Sequence, residues 1–163
     1  MFCRSWLILV ITVCCCFLEG FGSQSETILQ TVPPQYRILS SGNRIYYSYS
    51  AALENAIAHH KLGIIVFLNP SSDDVWEDIT KRDLYLSKDL TSVFNFVILQ
   101  PGLINSMEFH PKIDPMIHHI VEFQERFSNI SIHEPCIVLI TIDSQQQDSI
   151  QHVFPRETTF LDE

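Results

Sequence analysis

Five cysteines hold all of this chain's sulfur chemistry, and their positions exclude most of it. Cys3, Cys14, Cys15 and Cys16 lie at the N-terminus, while Cys136 stands alone far downstream. Disulfide exchange needs a thiolate to attack and a second thiol to resolve the mixed disulfide. Cys136 has no resolving partner once the N-terminal segment is removed, and no flanking Lys or Arg lowers its pKa. Two readings remain. An exposed Cys136 would capture a client, link two copies through a disulfide, or act as a single-cysteine oxidoreductase or isomerase with an external thiol. A buried Cys136 would behave as a small hydrophobe, the usual fate of a free cysteine.

Other chemistry-bearing clusters are weaker. Asp73, Asp74, Glu77 and Asp78 follow Pro70 without EF-hand spacing, and acids there suit the positive end of a helix. Trp76 either flanks a binding groove or packs in the core, where large aromatics usually go. His118, His119 and Glu122 invite a metal reading, as do His59 and His60. Adjacent histidines point in different directions on a helix and the H-E-x-x-H arrangement is absent, so no metal and no cofactor is assigned. Neither a nucleophile elbow nor a Gly-rich phosphate loop occurs, and no catalytic residue is assigned.

Residues 1–22 have the three parts of a signal peptide: Arg4, the apolar run Trp6 to Leu18, and Gly20 and Gly22 before a cleavage point. The run falls short of the roughly 20 apolar residues that span a bilayer. An uncleaved anchor, with Cys14, Cys15 and Cys16 acylated, is the competing reading. After cleavage no membrane contact and no internal disulfide is expected, yet about 140 residues suffice to bury a core unaided. Asn129-Ile130-Ser131 is a glycosylation sequon; Asn69-Pro70-Ser71 is disqualified by its proline. The formal charge of -9 argues against a nucleic-acid partner. Phe160-Leu161-Asp162-Glu163 is not a KDEL-type signal, leaving secretion and the endoplasmic-reticulum lumen both open.

The elements that must position these residues follow from periodicity. Residues 23–43, with Pro33-Pro34, read as a flexible lead-in. Ile45-Tyr46-Tyr47 suits a short strand, and Ser48 caps a helix through Lys61 with Tyr49, Leu53, Ala56, Ile57 and His60 on one face, stopped by Gly63. Ile64–Leu68 and Phe96–Leu99 read as buried strands. Val75, Trp76 and Ile79 would face inward from a helix after Pro70, with a short helix capped by Ser87. Asp114-Pro115 starts a helix whose stripe is Ile117, Ile120, Val121, Gln124 and Phe127. Cys136–Ile142 is a third strong strand and Ser149–Phe154 an edge strand. This order predicts an α/β sandwich with a mixed central sheet.

The β-α-β-α-β-α-β-β order resembles the thioredoxin fold. Locally the chain is most similar to the small endoplasmic-reticulum thioredoxin-like proteins, including the anterior gradient group. The residues that carry this are Tyr49-Ser50-Ala51-Ala52-Leu53, Asn95-Phe96-Val97-Ile98-Leu99 and Glu134-Pro135-Cys136-Ile137-Val138-Leu139. The resemblance implies a thioredoxin-like three-layer sandwich over residues 44–155, a tail over 156–163, and a closing C-terminal helix that is missing. It also implies a proline, Pro135, facing the start of the second helix. There the redox members carry cysteine, and this chain has Asp73-Asp74-Val75-Trp76. UAS domains of ubiquitin adaptors are a second parallel, through Leu68-Asn69-Pro70-Ser71-Ser72-Asp73-Asp74, although those adaptors are cytosolic.

The expectation is therefore a redox-inactive, chaperone-like or interaction module of the secretory pathway that binds polypeptide partners through Asp73, Asp74, Trp76, Glu134 and Pro135. The alternatives are the enzyme acting through Cys136 and a truncated relative that has lost stability with its last helix.

Overall fold

The computed structural model describes residues 33–73, 75–76, 79, 86–104, 113–129 and 134–155. The signal segment, Asp74, Glu77, Asp78, most of the expected second helix and the tail 156–163 lie outside the described residues.

Continuous β-branched and aromatic runs build the middle of one open, mixed sheet of six strands. The strands are β1 (Tyr36–Ile38), β2 (Arg44–Tyr46), β3 (Gly63–Leu68), β4 (Phe94–Leu99), β5 (Cys136–Ile142) and β6 (Asp148–Pro155), in the order β1-β2-β4-β3-β5-β6. β2, β4 and β3 run parallel, whereas β1, β5 and β6 each pair antiparallel to their neighbours. The parallel strands require crossovers, and three helices are described: α1 (Tyr49–Ala58), α2 (Lys88–Val93) and α3 (Pro115–Arg126).

β1 is a correction. It lies inside the stretch expected to be a flexible lead-in, because a turn closed by Gly42 at φ +85° folds Tyr36 back onto Tyr46. Arg44 then lies 4.5 Å over the Tyr36 ring, so cross-strand aromatic contact holds the edge.

α1 begins as its sequence requires, with the Ser48 hydroxyl accepting from the Ala51 N–H. Its stop differs from the expected one. His60, at φ 52°, takes the left-handed position, with its N–H on Ile57 O and the Lys61 N–H on Ala56 O. Gly63 serves another purpose: a Cβ there would stand 2.0 Å from the Ile140 carbonyl oxygen. It is the close approach of β5, not the end of α1, that requires glycine.

α3 turns inward a face that only partly matches the expected stripe. Ile120 and Phe127 of that stripe pack in the core with Met116, His119 and Phe123, while Ile117 and Val121 are exposed, at 48% and 43%. The reason is aromatic packing. Phe123 and Phe127 each meet the Tyr49 ring edge-on at 5.3 Å, burying more surface than Ile117 and Val121 would. This rotation carries His119 into the core. α1 is tied to the sheet by Asn95, whose Nδ2 donates to the Ala52 carbonyl at 2.7 Å and to Asn55 Oδ1 at 3.1 Å.

Candidate functional site

Of the expected binding residues, Asp73, Glu134 and Pro135 lie at the end of the sheet where β3 and β4 finish and β5 begins, and Asp74 lies outside the described residues. That is where open parallel sheets commonly hold ligands. The local sequence explains the shape. Asn69 before Pro70 is an Asx-turn signal, and the buried Asn69 side chain organises the loop. Its Nδ2 donates to the Asp73 carbonyl at 2.9 Å and to Asp73 Oδ1 at 3.1 Å, while its Oδ1 accepts from the Ser71 N–H at 3.1 Å and the Ser71 hydroxyl at 2.9 Å. Ser71 also donates to the Asp73 carboxylate. Asp73 is thus committed to shaping its own loop.

Backbone pairing brings three segments together. Asn69 N–H donates to the Leu99 carbonyl at 2.9 Å, and Leu68 pairs with Cys136, so the Asn69 loop lies beside Pro135. Gly102, at φ +77°, approaches Ser72 and donates its N–H to Asp114 Oδ2 at 2.6 Å. The other Asp114 oxygen caps α3 through the Met116 N–H at 3.0 Å. Asp114 therefore fixes the start of α3 to the loop after β4.

The two faces of the sheet separate the remaining candidates. Ile65, Phe67 and Phe96 share a face with Trp76, which stands 5.2 Å from the Phe67 ring and is 7% exposed. Trp76 is a core residue here, not a groove wall. Cys136, opposite Leu68 and in line with Val138 and Ile140, belongs to the other face, toward α1 and α3. It is buried, and that burial pushes its thiol pKa up. Glu134, exposed, and Pro135, half-buried, form the loop that leads directly into β5 at this end of the sheet. Asp73, Glu134 and Pro135 thus lie on loops at the same end of the sheet, while Cys136 is buried at the start of β5. Asn129 is exposed in the turn after α3.

Sequence reading missed Asn69 as the organiser of its loop, the tie of Asp114 to Gly102, and the burial of Gln100. Gln100 is 4% exposed, and its Oε1 has no hydrogen-bond partner among the described residues, just behind the Pro101-Gly102 turn. The Asn-Pro and Asp-Pro pairs were the available signals; Gln100 carried none.

A polar concavity of about 300 Å³ opens at the opposite end of the sheet, lined by Arg44, Asn55, His59, Lys61 and Asn95 among others. Lys61 spends its donors on the Thr91 and Phe94 carbonyls, at 2.7 and 3.3 Å, and burial followed by Arg44 lowers its pKa. Its charge is therefore largely used within the fold.

No helix among the described residues is long and apolar enough to cross a membrane. No family model, no curated protein and no solved structure matches this chain.

Proposed function

We propose that this is a thioredoxin-like protein of the secretory pathway, without redox turnover, that binds an extended polypeptide segment at the Asn69–Asp73 and Glu134–Pro135 rim. The mixed sheet, with helical crossovers joining its parallel half and an antiparallel pair beyond, supports the fold resemblance. The observation that carries the functional reading is a contrast in exposure. Glu134 is exposed and Pro135 half-buried in the loop before β5, whereas the sole thiol left after signal cleavage, Cys136, is buried with a raised pKa. A thiol so placed is a poor nucleophile. Peptide main chain can still be read at the rim by backbone hydrogen bonds, with the Glu134 carboxylate selecting basic or polar side chains.

The test is made on the mature glycosylated chain. Fluorescence anisotropy against an extended-peptide library should find ligands, and Glu134→Arg together with Pro135→Ala should weaken them about tenfold or more, the loss of roughly one charge-assisted contact. Trp76 is left intact because it supports the core. Insulin reduction should stay at background, and native Cys136 should alkylate roughly 100-fold more slowly than in denaturant, since labelling requires opening. Turnover of insulin, or rapid native labelling, would favour the single-thiol enzyme. Peptide affinity unchanged by the double substitution would remove the rim.

A further inference from the structure

α3 carries a cluster that the sequence reading set aside. Its rotation toward Tyr49 brings one ligand atom each from His118, His119 and Glu122 within 4.8 Å of one another. Neighbouring histidines on a helix ordinarily diverge, yet here the His118 and His119 rings lie 5.5 Å apart and tilted. His119 Nδ1 is 3.8 Å from Glu122 Oε2.

The second observation is independent of that grouping. His119 is 4% exposed, and neither ring nitrogen has a hydrogen-bond partner among the described residues. A buried imidazole placed only to fill space is costly, because its nitrogens lose water without a well-formed hydrogen bond in return. The same position would hold leucine between Met116 and Phe123 without that penalty. A ligand that takes one nitrogen removes the discrepancy.

We propose that His118, His119 and Glu122 form a binding site for a divalent transition metal of the zinc class, leaving a fourth position for water or an exogenous ligand. Two imidazoles and a carboxylate are a three-ligand set suited to zinc. Bonds of about 2.0–2.1 Å to a tetrahedral ion set ligand atoms about 3.4 Å apart. The observed separations of up to 4.8 Å therefore need to contract by about 1.4 Å at most, through rotation of the exposed His118 and half-buried Glu122 side chains. The surroundings hold the set in place. Ser50, on α1, donates its hydroxyl to Glu122 Oε1 and leaves Oε2 turned toward His119. The site uses none of the rim residues, so it stands or falls separately from peptide binding.

The test is a calorimetric titration of the chelator-stripped mature chain with Zn²⁺, repeated with Co²⁺ to read its visible d–d absorption. One ion per chain should bind with Kd of about 10 μM or tighter. His118→Ala and Glu122→Gln, both at accessible positions, should each weaken binding at least about tenfold and bleach the Co²⁺ bands; Ser50→Ala should weaken it by a comparable factor through orientation. His59→Ala, in the other histidine pair, should leave it unchanged, and matched circular dichroism of the metal-free variants excludes unfolding. Binding weaker than about 100 μM, or affinity that survives both His118→Ala and Glu122→Gln, would overturn the site.

Discussion

Asp148→Asn tests what holds the outer elements together. The Asp148 carboxylate, only 9% exposed, accepts three hydrogen bonds from two helices. Arg126 of α3 donates Nε to Oδ2 at 2.7 Å and Nη2 to Oδ1 at 2.5 Å, and Tyr49 of α1 donates its hydroxyl to Oδ2 at 2.6 Å. The junction therefore joins α1, α3 and β6. The Arg126 side chain is 44% exposed, so its share is discounted to about 1 kcal/mol or less, as for a surface pair. The Tyr49 bond to a shielded anion contributes about 1–2 kcal/mol. Asparagine keeps the shape and one acceptor but loses the charge, so a loss of about 2 kcal/mol is expected, lowering Tm by roughly 4–8 °C in calorimetry.

Acid titration adds a signature. Arg126 is the chief cause holding the Asp148 pKa below its ordinary value, with Tyr49 acting in the same direction. The unfolded chain therefore takes up this proton first as pH falls. The stabilisation is complete above about pH 5, declines below the ordinary aspartate range, and is lost as pH passes through the depressed folded value. The gap between wild type and Asp148→Asn should accordingly narrow on acidification. A variant within about 1 °C of wild type at neutral pH, or a gap that stays constant down to pH 3, would refute the assigned role.

Two further predictions concern backbone conformation. His60→Gly should raise stability by about 1 kcal/mol in urea unfolding, because glycine occupies the left-handed position without Cβ strain; a decrease would show that the His60 side chain holds α1. Gly63→Ala should cost at least about 2 kcal/mol, since its Cβ would meet a carbonyl rather than a movable side chain, and a near-neutral result would mean that β3 and β5 separate easily there.

Local chemistry announced much of this protein. Ser48 and Asp114 had to cap helices because their oxygens satisfy free N–H groups, and the runs from Ile64, Phe96 and Cys136 had to be strands because their β-branched, apolar side chains fit a sheet covered on both faces. The lack of a second cysteine downstream of residue 22 was likewise legible, and with it the expectation that the mature chain performs no disulfide exchange. Other features depended on contacts between distant residues. α3 carries two overlapping apolar stripes, and packing against the Tyr49 ring from α1 accompanies burial of the one containing Phe123. That choice exposed Ile117, buried His119 and drew it toward Glu122. The side to which Cys136 points was likewise settled by its register opposite Leu68. A sequence states which residues can be buried, but competition among surfaces for the same core determines which of them are, because each helix or strand can turn only one side inward at a time.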